Sequence, residues 1–252
     1  MKRTAILFLM VFAAVTVAAK DQHDIIFHTD SEGRFPLVVK SCPTPVLVAE
    51  DETSGARIAA ENLCADFGRV CGTPAKLLNT PAAARMIIAG TIDSKYVGEM
   101  VQSGIIDGAV LKGKVEKYLM TVVTNPLPGV DEALVIAGSD MRGTIYGIYE
   151  LSEQIGVSPW YDWMDVPVEH NTDLYIASGA YTAGEPAVRY RGLFLNDEAP
   201  CLTTWVKNTY GTDYGDHRFY ARVFELILRL RGNFMWPAMW GWALSGGNFL
   251  FF

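Results

Sequence analysis

The sequence lacks a basic surplus: over 252 residues, 21 Lys and Arg stand against 28 Asp and Glu, a formal charge of −7. No stripe of Lys and Arg runs through it of the kind that tracks a phosphate backbone, which speaks against nucleic acid as a partner. Histidine is scarce, and His23, His28, His170 and His217 are scattered singly. Cys42, Cys64, Cys71 and Cys201 match no zinc spacing, so neither a metal site nor a cofactor is expected. A P-loop, an HExxH and a GxSxG are all missing, and with them the usual marks of phosphoryl transfer, zinc proteolysis and α/β-hydrolase chemistry. Gly143 and Gly147 fall inside a helical pattern rather than in a strand-to-helix turn, so they form no dinucleotide fingerprint.

Long apolar runs are few, and the one at the start has a direction. Lys2 and Arg3 precede an apolar stretch from Ala5 to Ala19 that closes on Val17-Ala18-Ala19. Charge, apolar core and small residues in that order predict a secretory signal over residues 1–19 and a periplasmic or extracellular protein. A stretch of ~15 apolar residues falls short of the ~20 that a bilayer needs, so no membrane partner is expected once the signal is removed. In an oxidising compartment four cysteines allow three pairings. Cys64 and Cys71, seven residues apart on one helical stretch, would stand ~10 Å apart, too far to bridge. All four are expected to be ordinary buried thiols.

Short β-like runs then alternate with helical ones. Asp24–His28, Leu37–Lys40, Val46–Ala49, Met86–Ala89, Tyr118–Thr124 and Leu134–Ala137 read as strands. Helices are predicted over Ser54–Val70, with Ala56, Ala60, Leu63, Phe67 and Val70 on one face and Gly72 past the end, over Asp93–Gln102 and over Asp140–Gln154. Such alternation predicts an N-terminal α/β domain, a mixed sheet with covering helices, over residues 24–177. Pro and Gly then mark a linker at 178–187. Beyond it the pattern restarts: Val188–Leu195 as a strand, a helix capped by Asp216 with Phe219, Val223, Leu226, Ile227 and Leu230 buried and Gly232 at its end, and Asn233–Trp236 as a strand. One βα unit and the start of a second are the opening of a (β/α)8 barrel over residues 188–252, incomplete because a whole barrel takes ~250 residues.

Two clusters stand at the ends of the late strands, where such barrels place their sites. In Asn196-Asp197-Glu198 the acids can hydrogen-bond sugar hydroxyls or take part in proton transfer, or they can simply cap the loop and face water. In the run Trp236 to Trp242 three tryptophans occur in seven residues. An indole ring covers the apolar face of a sugar while its N–H still donates. Trp236, inside the strand, is assigned to core packing; Trp240, beyond the strand end, fits a pocket or the core. The aromatics of Gly143–Tyr149 with Trp160, Tyr161 and Trp163 are read as packing between the domains.

Four segments carry a family resemblance: Ile136-Ala-Gly-Ser-Asp-Met-Arg-Gly-Thr-Ile-Tyr-Gly-Ile-Tyr149, Gly156-Val-Ser-Pro-Trp-Tyr161, Phe194-Leu-Asn-Asp-Glu-Ala-Pro200 and Phe224-Glu-Leu-Ile-Leu-Arg-Leu-Arg-Gly-Asn-Phe-Met-Trp-Pro-Ala-Met-Trp240. The sequence from about residue 24 to Trp240 resembles glycoside hydrolase family 115, the xylan α-glucuronidases. The resemblance implies an α/β domain before a (β/α)8 catalytic barrel, and an inverting hydrolase that removes α-1,2-linked glucuronic acid or its 4-O-methyl ether from xylan. It places Asp197 and Trp240 on motifs bordering the substrate pocket, with Glu198 beside them. Ala199 stands where the family usually has another acid or a glutamine, and the run Gly241–Phe252 shows no match. Inverting hydrolysis needs two carboxyl groups ~6.5–9.5 Å apart, a pair that adjacent residues cannot be assumed to supply. The general acid and base are therefore expected beyond the end of this chain, which is expected to be inactive alone, and the parent is expected to be a homodimer. The alternative is a non-catalytic carbohydrate-binding α/β remnant.

Overall fold

The computed structural model describes residues 25–196, 200–211 and 216–236; the predicted signal at residues 1–19 lies outside them. Short strands β1 (Ile26–Phe27), β2 (Arg34–Val39), β3 (Cys42–Pro43) and β4 (Val46–Leu47) lead into helix α1 (Ser54–Cys71). Strands β5 (Leu77–Leu78) and β6 (Arg85–Thr91) precede α2 (Lys95–Gln102), and β7 (Tyr118–Leu127) and β8 (Val130–Gly138) form a hairpin before α3 (Met141–Gln154). Next come β9 (Leu174–Ala177), β10 (Ala180–Tyr181), β11 (Gly192–Phe194), α4 (Cys201–Tyr210), α5 (His217–Arg229) and β12 (Phe234–Trp236).

Helix ends are set by local chemistry. Thr53 accepts a hydrogen bond from the Ala56 amide ahead of α1, and Gly72 closes that helix at φ 81°, a left-handed conformation that glycine adopts without a Cβ penalty. Asp140 accepts from the Gly143 amide at 2.8 Å ahead of α3. Asp216 does the same for Arg218 at 2.7 Å ahead of α5.

Strand alternation decides the layers. In β6, Ile87 and Ala89 face one cluster with α1 and α3, while Met86 and Ile88 face a second with α2; in β8, Leu134 and Ile136 oppose Val135 likewise. The six-stranded sheet runs β10-β7-β8-β6-β4-β5; β5, β4, β6 and β8 are parallel, and β7 lies antiparallel to both of its neighbours, β8 and β10. A four-stranded antiparallel sheet, β1-β9-β2-β3, adds Phe35, Leu37, Leu174 and Ile176 to the α1/α3 cluster. The architecture is mixed α/β.

Strands β11 and β12 pair in parallel, with α5 as their crossover. This sheet has two strands among the described residues and does not close, as in an incomplete (β/α)8-like barrel. Residues 180–181, expected in a linker, extend the six-stranded sheet through Ala180↔Thr121 and Tyr181↔Met120.

Several details differ from the sequence expectations. Leu230 is 39% exposed, because α5 ends at Arg229 and the chain turns through Arg231 at φ 56° rather than through Gly232. Helix α4 was not expected; its left-handed end at Gly211 was a legible stop signal without an apolar stripe before it, since Val206 is its single buried residue. Of the four cysteines, all free, only Cys64 and Cys71 are buried; Cys42 sits on short strand β3 and Cys201 starts α4, both exposed. Burial, with Glu61 and Asp66 nearby, pushes the Cys64 thiol up to about 12, which leaves it unreactive.

Candidate functional site

The parallel register Phe194↔Trp236 brings the C-terminal ends of β11 and β12 to the same edge. Asn196 is exposed there, one residue before the acidic pair. Asp197, Glu198 and Trp240 themselves lie outside the described residues. The structure therefore places the backbone immediately before both motifs side by side.

On this strand pair the side chains alternate sharply. Leu193 and Met235 pack against the cluster of Val206, Phe219, Tyr220, Val223 and Ile227. Phe194 and Trp236 point the other way, 57% and 59% exposed, with their rings edge to face at 6.2 Å. Trp236 is thus not a core residue of the described structure, contrary to the expectation. The reason is parity: Met235, its neighbour, takes the side facing α5. Tyr190 and Phe234 continue the exposed aromatic face, 6.0 Å apart.

Of the aromatics assigned to packing between domains, Tyr146, Tyr161 and Trp163 touch the segments that follow residue 200. Trp163 tilts on Trp205 at 5.6 Å and meets Phe219 edge-on at 6.1 Å, joining the segment after α3 to α4 and α5. The Tyr161 hydroxyl lies 3.1 Å from both Glu225 Oε1 and Arg222 Nη1. Behind it, Arg229 of α5 donates to Asp66 of α1 at 2.9 Å and to Glu225 at 2.9 Å, almost wholly out of solvent. Burial alone would lower the Arg229 pKa; Asp66 and Glu225 outweigh it and raise it further, so this guanidinium stays charged. Neither Asp66 nor Arg229 was singled out in the sequence.

A cavity of about 540 Å³ opens between α1, α3, α5 and β12, lined by Ile58, Met141, Ile145, Phe224, Leu228 and Met235 among others. It reaches Asn233, Phe234 and Met235 but neither Asn196 nor Trp236, so it is separate from the strand ends. The other place where an open α/β sheet takes ligands is its switch point, here between β4 and β6. That crevice is filled by the protein's own acids: Glu52 accepts from the Thr91 amide at 2.6 Å and the Thr53 amide at 2.8 Å, and Asp51 accepts from the Lys95 amide at 3.1 Å. Among the described residues no group of three or more His, Cys, Asp or Glu is placed to hold a metal ion, and no helix is long and apolar enough to cross a membrane.

Comparison with known proteins points to the strand pair. The family model for glycosyl hydrolase family 115 matches residues 183–248, running past Trp240 into a segment where the sequence reading found no resemblance. A solved family GH115 4-O-methyl-α-glucuronidase with specificity for decorated arabinogalactans is 35% identical, with a TM-score of 0.67, over 81% of this chain and 26% of its own. The chain thus spans about a quarter of that relative's length. A β-hexosaminidase of Streptomyces plicatus (11% identity, TM-score 0.46, 82% of this chain and 32% of its own) and a GH20 β-N-acetylhexosaminidase of Streptomyces coelicolor A3(2) (12%, 0.43, 75% and 32%) are more distant. No curated protein matches the chain. With the strand pair that carries Asn196 and Trp236 inside the matched segment, this chain is, over the part of its length that these matches cover, homologous to the family 115 glycoside hydrolases.

Proposed function

We propose that this chain is the N-terminal part of an exported glycoside hydrolase that removes α-1,2-linked 4-O-methylglucuronic acid or glucuronic acid from xylan by inversion. The observations that support the reading are the 35% identity to a 4-O-methyl-α-glucuronidase over 81% of this chain and the family model's match to residues 183–248, which include the β11–β12 pair. In this reading Asp197 and Glu198 bind sugar hydroxyls at the end of β11, and Trp240 covers an apolar sugar face at the end of β12. The general acid and base come from later strands, because inversion needs carboxyl groups ~6.5–9.5 Å apart. In this reading residues 1–252 alone do not turn over. Lys2, Arg3 and the apolar run to Ala19 support export to the periplasm or beyond.

A second polysaccharide is favoured by one observation, the relative's specificity for decorated arabinogalactans. The test uses a protein in which residues 1–252 continue through a full barrel, assayed for released 4-O-methylglucuronic acid on glucuronoxylan and on arabinogalactan. Release that drops at least about 100-fold in Asp197→Ala supports the reading, as expected for loss of a group acting in the transition state. No uronic acid from either polymer sinks it. Release from arabinogalactan alone replaces the substrate.

A further inference from the structure

Strands β11 and β12 pair over three residues each, and their pattern alone does not fix how they align. Sliding one strand by two residues would return each side chain to the same face. It would also move the strand ends ~6.6 Å relative to each other. Something outside the ladder must choose the register.

Directly ahead of the two strands stand Arg191 and Asn233. Asn233 Oδ1 accepts from the Arg191 amide at 3.0 Å, and Arg191 O accepts from the Asn233 and Phe234 amides at 2.7 and 3.1 Å. Glu116 of the N-terminal domain joins both: its Oε1 accepts from Asn233 Nδ2 at 2.8 Å and its Oε2 from Arg191 Nη2 at 2.5 Å. Because a carboxylate only accepts, it also orients the Asn233 amide so that Oδ1 meets the backbone N–H. The Glu116 side chain is 7% exposed, and Arg142 Nη1 at 3.9 Å is the further charged group facing it.

Glu116 is held in turn. Its φ is 54°, and its amide donates to Asp140 Oδ2 at 2.8 Å, the other oxygen of the carboxylate that caps α3. From α3 itself the Tyr146 hydroxyl donates to Gly232 O at 2.9 Å, in the turn that leads into β12.

We propose that Glu116 is a positioning residue through which the N-terminal domain sets the register of the first two barrel strands. It thereby fixes the relative height of Asn196 and Trp236 at the ends of the two strands. The consequence for sugar binding rests on the function proposed above; the register itself does not.

Hydrogen exchange of the 252-residue protein, without substrate, separates the two. In Glu116→Ala the Leu195 amide, which donates to Trp236 O at 3.1 Å, and the Phe234 amide should exchange at least about tenfold faster, while β6 and β8 amides keep their rates. Glu116→Gln keeps an acceptor for Asn233 but loses the charge on Arg191, and should fall between. Asp66→Asn loosens the interface elsewhere and should spare Leu195. Unchanged Leu195 and Phe234 rates in Glu116→Ala overturn the proposal, and so does equal acceleration in β6, β8 and β11. If Glu116→Ala does not fold, Glu116→Gln decides: selective acceleration at Leu195 and Phe234 supports the role, and unchanged rates refute it.

Discussion

Arg229 on α5 and Asp66 on α1 meet at 2.9 Å with 2% and 0% of their side chains exposed. Each depends on the other, since a buried charge without its partner is costly. Glu225 remains as a second acceptor for Arg229, but it lies on the same helix, whereas Asp66 ties α5 to α1. Asp66→Ala should therefore cost ~3–5 kcal/mol, measured by urea denaturation. A loss below ~1 kcal/mol would mean that Glu225 alone satisfies Arg229.

Helix α3 lies so close to the start of β7 that an added Cβ at Gly143 would sit 2.2 Å from Lys117 O, a backbone atom that cannot swing away. Helix propensity favours Gly143→Ala by ~1 kcal/mol, whereas overpacking costs ~1–3 kcal/mol and the contact is at the severe end. The variant should lose stability in thermal melts. A raised Tm would show that α3 can retreat.

Much of this fold was legible because side-chain period and layer agree. Ala56, Ala60, Leu63, Phe67 and Val70 are buried on α1, at the spacing that marks them in the sequence. Two-residue strands such as β3 and β5 carry too little pattern to be seen, and β5 finds its partner β4 only across the whole of α1. Asp66 could have been flagged: it follows Ala59 by seven residues and Leu63 by three, an acid on an apolar stripe. Arg229 breaks the α5 stripe in the same way, three residues after Leu226. Glu116, in a loop with no period, gave no such signal. The acids and tryptophan chosen from the sequence as site residues, Asp197, Glu198 and Trp240, fall outside the described residues, so the candidate site is legible here only up to its two strand ends.

Trp236 separates two energetic scales. Deleting a large aromatic from a core costs ~3–5 kcal/mol, but this ring is 59% exposed and meets Phe194 and Phe234 edge-on. Trp236→Ala in the 252-residue protein should change stability by less than ~1 kcal/mol. A loss of core size in urea titration would place the ring under cover.

Alkali should loosen the junction between α3 and the strand pair through Tyr146. Burial, and then the charge of Glu116, pushes its hydroxyl up from 10.0 to about 12, while it donates to Gly232 O at 2.9 Å. Burial raises Tyr118 and Tyr149 in the same direction. The sign follows from linkage: a group whose folded pKa is raised binds its proton more tightly when folded. Its contribution is complete below pH 10.0 and is lost as pH climbs toward about 12, because the unfolded chain releases its protons first. For Tyr146 this amounts to roughly 2 kcal/mol over the window. Tm should hold steady below that range and fall steeply within it. Tyr146→Phe leaves Gly232 O without its donor, so it should start ~1 kcal/mol less stable at neutral pH and then decline with a shallower alkaline slope. Parallel curves for the two proteins would show that Tyr146 ionises freely in the folded state, and that the hydroxyl does not hold the turn into β12.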